Sequence, residues 1–227
     1  MIKAVLIDVD NTLLDFNLSA EKSIQNAFKK YGLPFTENTF PRFKVINDML
    51  WDKIESGEIT RKELHRDRFN IIFKDLGIDF DGYTIEQEFL AQLFNVAIPV
   101  DGAIETLKYL SSKYKVYTAS NALHLQQLNR LTVSGLMPYI TKTFISEVIG
   151  YPKPSPEFYK ACFDGINPIS QEETVMIGDS ISADIIGGKN CGLKTIYFNY
   201  NKNPIPEEKK GYADYVINHL LEVKNIL

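Results

Sequence analysis

Four short stretches of the sequence combine carboxylates with a hydroxyl, an amide and a lysine. In chain order, their polar residues are Asp8, Asp10, Ser120, Asn121, Lys153, Asp179 and Asp184. Each stretch alone is common by chance; a Ser-Asn pair before a helix, for instance, is usually an N-cap. Together they contain oxygen ligands for a metal, a nucleophile, a proton donor and a clamp for phosphoryl oxygens. This combination indicates phosphoryl transfer through a carboxylate.

Each of these stretches follows or lies beside an apolar run that predicts a buried strand. Residues 4–9 form a nearly unbroken apolar run, which is typical of a parallel strand covered on both faces. Later strands are predicted at 115–119, 143–145, 174–177, 195–198 and 215–217, and they alternate with helices at 102–113, 124–134, 156–163 and 182–191. This alternation predicts an α/β fold with a doubly wound parallel sheet. Because ligands bind at the carboxyl ends of such strands, the polar stretches should meet there.

A block of helical sequence interrupts this alternation after the first strand. Residues 18–97 show apolar residues at helical spacing and predict a bundle of four helices, the second at 38–56. Two predicted capping boxes mark further helix starts: Thr60 with Glu63, and Thr84 with Gln87. We therefore expect a helical insertion at 16–98 in an α/β core made of residues 1–15 and 99–227. The polar stretch 199–211 is predicted to be a surface loop.

Composition limits the classes of protein and partner. The chain has 227 residues, 44% hydrophobic and 24% charged, which is typical of a globular protein and not of a disordered one. Lys and Arg number 25 against 29 Asp and Glu, so there is no basic surplus for binding nucleic-acid polymers. No apolar run approaches the roughly 20 residues that span a bilayer, and no signal peptide is evident. Cys162 and Cys191 are expected to be small buried side chains, and a cytoplasmic location is predicted.

With these motifs, the chain resembles a haloacid dehalogenase superfamily phosphohydrolase that carries a helical cap after its first strand. The resemblance implies that Asp8 is the nucleophile and that Asp10 is the general acid and base. It also implies that Ser120 binds the transferring phosphoryl group, with Asn121 beside it. Lys153 matches the lysine that holds the nucleophile and the phosphate together. The implied fold is the superfamily's α/β core with an inserted four-helix cap.

The same resemblance implies a magnesium ion as the cofactor. Its ligands would be the carboxylates of Asp8 and Asp179 and the backbone carbonyl of Asp10, with Asp184 as a supporting acid. The cation would offset the repulsion between an attacking carboxylate and a phosphate dianion, which is roughly 4 kcal/mol per charge pair at 4 Å when the effective dielectric is about 20.

Within the superfamily, five stretches look most like the house-cleaning pyrimidine 5′-nucleotidases. They are residues 125–128, 145–147, 153–156, 178–180 and 187–190. One departure is Ala122, which follows Asn121 where that branch commonly has glycine. The implied substrate is a pyrimidine nucleoside 5′-monophosphate, and Phe16, Trp51 and Arg68 are the candidates to contact its leaving group. The spacing of Trp51 fits the core of the helical bundle as well.

Other functions remain open at this point. The chemistry also fits a phosphatase of a sugar phosphate or phosphoglycolate, or a phosphomutase whose cap excludes water. Dehalogenation is disfavoured, because the dehalogenases of the superfamily lack an acid at the position of Asp10. The alternative outside enzymes is a receiver-like phospho-acceptor module, which also unites acids, a hydroxyl and a lysine. Such modules run to about 120 residues and need no 80-residue helical insertion.

Overall fold

The computed structural model describes residues 1–205, 207 and 211–227. These residues form two compact units, one made of Met1–Asp15 and Ile98–Leu227 and the other of Phe16–Ala97. The loop predicted at 199–211 includes residues 206 and 208–210, which lie outside the described residues.

The first unit is built on a six-stranded parallel sheet, as the sequence predicts. Its strands are β1 (Ala4–Ile7), β2 (Lys115–Ser120), β3 (Lys142–Ile145), β4 (Thr174–Gly178), β5 (Lys194–Phe198) and β6 (Tyr215–Ile217). Their spatial order is β3-β2-β1-β4-β5-β6, and all neighbouring pairs are parallel. Every residue of β1 and β4 is buried, which explains their unbroken apolar sequences. The α/β prediction is confirmed.

Helices connect the strands of this unit and cover the sheet. They are α5 (Ala103–Lys113), α6 (His124–Val133), α7 (Ser146–Ile149), α8 (Pro156–Ile166) and α9 (Gly187–Asn190). The single helix predicted at 182–191 is wrong in detail, because a π-helical turn, Ile181–Ile186, precedes α9. The terminal helix is a 3₁₀ helix, Leu220–Asn225. Among the helices that the structure describes, none has the length and apolar composition needed to cross a membrane.

The second unit is a bundle of four helices. They are α1 (Phe16–Tyr31), α2 (Thr39–Glu55), α3 (Arg61–Leu76) and α4 (Gly82–Asn95). Their shared core is rich in phenylalanine, and its buried aromatic residues are Phe28, Phe43, Phe69, Phe73 and Phe89. These rings lie 5.4 to 6.4 Å apart in tilted and edge-on pairs, a favourable geometry for aromatic contacts.

One of the two capping boxes predicted for the bundle is confirmed. The Thr60 hydroxyl accepts from Glu63 N, and the Glu63 carboxylate accepts from Thr60 N, at the start of α3. The box predicted at Thr84 is wrong. There the Asp81 carboxylate accepts from the amide of Thr84 and caps α4, which begins at Gly82. An ionised carboxylate at the N-terminus of a helix is a strong acceptor for the first unpaired amides, so Asp81 rather than Thr84 caps α4.

Candidate active site

The register of the sheet brings the polar stretches together. Ile7 of β1 lies opposite Thr118 of β2 and Ile177 of β4, so the three strands end at one edge of the sheet. Asp8 directly follows β1, and its amide donates to the Ile177 carbonyl at 2.8 Å. The carboxyl ends of the strands therefore form a common site, as expected for a parallel α/β sheet.

The Lys153 side chain lies at the centre of this site. Its ammonium group is 2.6 Å from Asp8 Oδ1, 2.7 Å from Asp184 Oδ1 and 2.6 Å from the carbonyl oxygen of Ala119. Lys153 is only 2% exposed. Burial acts to lower the pKa of its ammonium group, but the negative charges of Asp184 and Asp8 raise that pKa above its usual value. Lys153 is therefore a fixed cation that joins three segments of the chain.

Asn121 positions this lysine. Its Nδ2 donates to the Lys153 carbonyl at 2.9 Å, and its Oδ1 accepts from the Lys153 amide at 2.8 Å. Both polar ends of the side chain thus bond to the backbone of one residue. Phosphate binding by Asn121, beside Ser120, stays a prediction. The structure shows that its side chain holds Lys153 against the end of β2.

Asp8, Asp179 and Asp184 form a compact carboxylate cluster. One oxygen from each lies within 4.8 Å of the other two. Burial, followed by the charge of Asp184, outweighs the attraction of Lys153 and raises the pKa of Asp8 to about 7. Burial and the negative charges of Asp8 and Asp184 raise the pKa of Asp179 well above its usual value. The ionised forms of the cluster therefore need a further positive charge nearby.

The cluster fits a magnesium ion. Three carboxylates outnumber the single ammonium group by two formal charges, which a divalent cation offsets. Carboxylate oxygens are the ligands that hard cations such as Mg²⁺ prefer. Asp184 already bonds to Lys153 through Oδ1 and to the Ser180 amide through Oδ2, which suits a supporting acid. Asp8 and Asp179 are the residues best placed to hold the ion.

The π-helical turn fixes Asp184. The turn begins directly after Ser180, and the Ser180 hydroxyl caps it by accepting from the Ala183 amide. The buried Tyr159 hydroxyl donates to the Ala183 carbonyl at 2.7 Å and anchors the turn to α8. Gly178 leaves the space that the Asp184 carboxylate occupies, because a Cβ there would lie 2.1 Å from Asp184 Oδ2. Turns of this kind are frequent at functional sites.

Asp10 contacts two side chains of α6 that carry no role in the sequence predictions. Arg130 Nη1 donates to Asp10 Oδ1 at 2.6 Å, and Gln127 Nε2 donates to Asp10 Oδ2 at 2.9 Å. Gln127 Nε2 also lies 3.0 Å from the Ser120 hydroxyl. The sequence signal that could have found them is a glutamine and an arginine three residues apart, on the helix that follows Ser120.

The residues predicted to contact the leaving group belong to the helical unit. Phe16 and Trp51 are partly buried there and pack against its aromatic core. Arg68 is 2% exposed, and its guanidinium donates to both carboxylate oxygens of Glu86 and to Asn47 Oδ1. The prediction for Arg68 therefore needs correction, because this side chain is enclosed within the bundle and bonded there.

Relatives of known name cover nearly the whole chain. The haloacid dehalogenase (HAD) hydrolase YfnB of Bacillus subtilis is 33% identical over 99% of this chain and 96% of its own length. The pyrimidine 5′-nucleotidase PynA of Streptococcus pneumoniae is 34% identical over 99% of this chain and 97% of its own length. The glyceraldehyde 3-phosphate phosphatase of Pyrococcus furiosus is 28% identical over 100% of this chain and 93% of its own length.

The fold agrees with these sequence matches. A crystal structure of YfnB bound to magnesium aligns with a TM-score of 0.93 at 34% identity, over 100% of this chain and 98% of that chain. The family model for haloacid dehalogenase-like hydrolases matches residues 2–192, a span that contains all the polar stretches at the strand ends. The chain belongs to the haloacid dehalogenase-like hydrolase family.

Proposed function

We propose that this protein hydrolyses pyrimidine nucleoside 5′-monophosphates through a phosphorylated Asp8. The chain is a phosphoric monoester hydrolase that acts on small phosphate esters. One observation carries the proposed mechanism: the buried ammonium group of Lys153 bonds to Asp8 within a cluster of three carboxylates. Membership of a hydrolase family favours an enzyme over a receiver-like module.

In the first step, a carboxylate oxygen of Asp8 attacks phosphorus. A new bond forms between that oxygen and phosphorus, the ester bond breaks, and its electron pair goes to the nucleoside oxygen. Asp10 gives its proton to that oxygen, so that the nucleoside leaves as a neutral alcohol. Lys153 reduces the repulsion between Asp8 and the phosphate, and the Ser120 hydroxyl donates to a phosphoryl oxygen.

In the second step, water hydrolyses the aspartyl phosphate. Asp10, now ionised, removes a proton from the water as it attacks phosphorus. The bond between phosphorus and the Asp8 oxygen breaks, inorganic phosphate is released and the Asp8 carboxylate is restored. One residue thus acts as acid and then as base, which its place two residues beyond the nucleophile makes possible.

Asp8, Asp179 and the Asp10 carbonyl would hold Mg²⁺, supported by Asp184. When bound, the ion supplies positive charge to the phosphoryl oxygens and to the clustered carboxylates. The carboxylate cluster and its raised pKa values support this assignment.

Two observations bear on the substrate. The 34% identity with a pyrimidine 5′-nucleotidase supports a pyrimidine nucleotide, as do the sequence stretches that resemble that branch. The identity with a glyceraldehyde 3-phosphate phosphatase supports a second candidate, a small sugar phosphate. Phe16 and Trp51 stay candidates for contact with the base. A cytoplasmic location stays a prediction from the sequence.

A substrate panel at equal Mg²⁺ tests the nucleotide proposal. We expect kcat/KM for uridine, deoxyuridine or deoxythymidine 5′-monophosphate to exceed that for purine monophosphates at least about tenfold, or roughly 1.4 kcal/mol of transition-state binding. Nucleoside di- and triphosphates should be poor substrates. If glyceraldehyde 3-phosphate or phosphoglycolate were the best substrate in the panel, the nucleotide assignment would be wrong and the chemistry would remain.

Substitution of the nucleophile tests the chemistry itself. Asp8→Asn is nearly isosteric, but an amide neither attacks phosphorus nor binds magnesium well, so kcat should fall by more than about a hundredfold. Asp164→Asn makes the same chemical change on the exposed surface of α8 and should leave kcat unchanged. Retention of over about a tenth of kcat by Asp8→Asn would rule out the aspartyl-phosphate route.

A further inference from the structure

Gln127 and Arg130 are buried polar residues that face the candidate site from α6. Arg130 is 1% exposed and Gln127 is fully buried. They lie three residues apart, which places them on one face of the helix. The start of this helix is held by the Glu147 carboxylate, which accepts from the His124 amide at 2.7 Å. The two side chains therefore extend from an anchored element.

Each of the two residues donates to a different oxygen of the Asp10 carboxylate. Arg130 Nη1 donates to Oδ1 at 2.6 Å, and Gln127 Nε2 donates to Oδ2 at 2.9 Å. Arg130 Nη1 also donates to Gln127 Oε1 at 3.1 Å, which fixes the orientation of the amide. With one donor on each oxygen, the plane of the carboxylate is defined relative to α6.

Gln127 also connects Asp10 to the end of β2. Its Nε2 lies 2.9 Å from Asp10 and 3.0 Å from the Ser120 hydroxyl. Because one amide group reaches both, a movement of either side chain is transmitted to the other. Proton transfer and phosphate binding need these groups at fixed positions relative to the same phosphorus atom.

We infer that Gln127 and Arg130 are positioning residues: Arg130 orients Asp10 for proton transfer to the leaving group, and Gln127 sets the distance between Asp10 and Ser120. This inference rests on the proposed function, in which Asp10 is the general acid. Replacing Arg130 should therefore lower the phosphorylation rate most for substrates that need a proton donor. Replacing Gln127 should lower the rate for every substrate, because all of them place a phosphoryl group against Ser120.

The test compares two substrates with different leaving groups. A nucleoside monophosphate releases an alkoxide that needs a proton, whereas p-nitrophenyl phosphate releases a stable phenolate. The rate of enzyme phosphorylation is followed in a single turnover for the first substrate and as the burst of p-nitrophenol for the second. Asp10→Asn is the reference variant, and it should slow the nucleotide reaction far more than the aryl reaction.

Arg130→Met keeps an unbranched side chain that fills most of the same space, and it removes the charge and the donors. We expect the nucleotide reaction to slow about thirtyfold and the aryl reaction less than about threefold, since misplacing a catalytic group costs up to about a hundredfold. Arg130→Lys keeps the charge and should recover part of the nucleotide rate. Gln127→Leu should slow both reactions and raise KM for both. Arg66→Met, which removes an exposed arginine of α3, is the matched control and should change neither rate.

Each result separates the inference from the proposed function. Circular dichroism first establishes that each variant is folded, and Arg130→Lys provides the comparison if Arg130→Met is not. If Asp10→Asn slows both substrates equally, the acid role of Asp10 fails, and the inference fails with it. If Asp10→Asn shows the expected difference and a folded Arg130 variant slows both substrates equally, Arg130 is only structural and the inference alone is overturned.

Discussion

Each unit of the protein buries a cluster of charged side chains, and the two clusters differ in their charge balance. In the helical unit, Arg68 bonds to Glu86 and Asn47, and its guanidinium lies 4.9 to 5.9 Å from the centres of three phenylalanine rings. One cation there meets one anion, and His65 Nδ1 lies 2.7 Å from the same carboxylate. At the end of the sheet, one ammonium group bonds to two carboxylates of a cluster of three.

This difference in balance corresponds to a difference in role. A buried pair whose charges and hydrogen bonds are satisfied needs nothing further, and it serves to hold helices in one arrangement. A buried excess of like charge is costly in the folded protein and raises pKa values, as at Asp8 and Asp179. Such an excess is retained where a ligand will offset it, which makes it a sign of function.

The largest effect is expected from the cation of the unbalanced cluster. Lys153→Met should lower kcat/KM about a thousandfold, because removing one preorganised electrostatic group costs about 10² to 10³ and this lysine also holds Asp8 and Asp184 in place. Lys160→Met, an exposed lysine of α8, is the control. Steady-state kinetics on both purified variants measure the effect, and a loss under tenfold for Lys153→Met would mean that the ammonium group contributes little to catalysis.

The balanced cluster should respond in stability instead. Arg68→Met leaves Glu86 buried without its cation and should lower the free energy of unfolding by about 3 to 5 kcal/mol, measured by urea denaturation. The double variant Arg68→Met with Glu86→Leu removes both charges and should recover most of that loss. Activity of the folded fraction should stay near the wild-type value. Normal stability with a raised KM for nucleotides would instead restore Arg68 as a substrate contact.

Magnesium should affect only the unbalanced cluster. When the free concentration of a cation is about a hundred times its Kd for the folded state, binding adds about 2.7 kcal/mol to the free energy of unfolding. This raises Tm by roughly 5 to 10 °C in a chain of this size. Asp179→Asn should remove most of this shift, whereas Arg68→Met should keep it. EDTA should abolish the activity of the wild type and added Mg²⁺ restore it. Full activity in excess EDTA would falsify the metal assignment.

The smallest effect concerns the space that Asp184 needs. Gly178→Ala places a Cβ 2.1 Å from Asp184 Oδ2, so the carboxylate must move. We expect about 1 to 3 kcal/mol of destabilisation and a loss of activity of about tenfold as Lys153 loses a partner. Gly188→Ala, whose added Cβ would meet its nearest atom at 3.3 Å, should change activity little. Equal effects from the two variants would mean that the position of Asp184 does not matter for turnover.

Much of the candidate site could be predicted because most of its residues follow strands. A parallel sheet aligns the ends of β1, β2 and β4, so the acids and the hydroxyl at those ends come together whatever the details of packing. The helix starts were predicted less well. Thr60 caps its helix as expected, but Asp81 takes the cap predicted for Thr84, because two polar residues within one turn compete for the same amides.

Arg68 and Arg130 show what the sequence pattern alone assigns poorly. Leu64, Arg68 and Ile72 are spaced by four residues, so Arg68 lies on the apolar stripe of α3 and is buried with it. That spacing could have predicted a buried ion pair. Its partner Glu86 lies on another helix, and Asp10 lies 120 residues from Arg130. Charge alone does not tell which distant residue completes such a pair.

By itself the sequence determined the order of the strands and helices, the helical insertion and the polar residues at the strand ends, since short-range patterns and the alignment of parallel strands dictate them. Only the tertiary structure decided which charges meet. The bond from Asn121 to Lys153, the links from α6 to Asp10 and the enclosed pair in the bundle join residues 18 to 120 positions apart in the chain. A hydrogen bond requires atoms within about 3 Å, and packing of whole elements sets such distances.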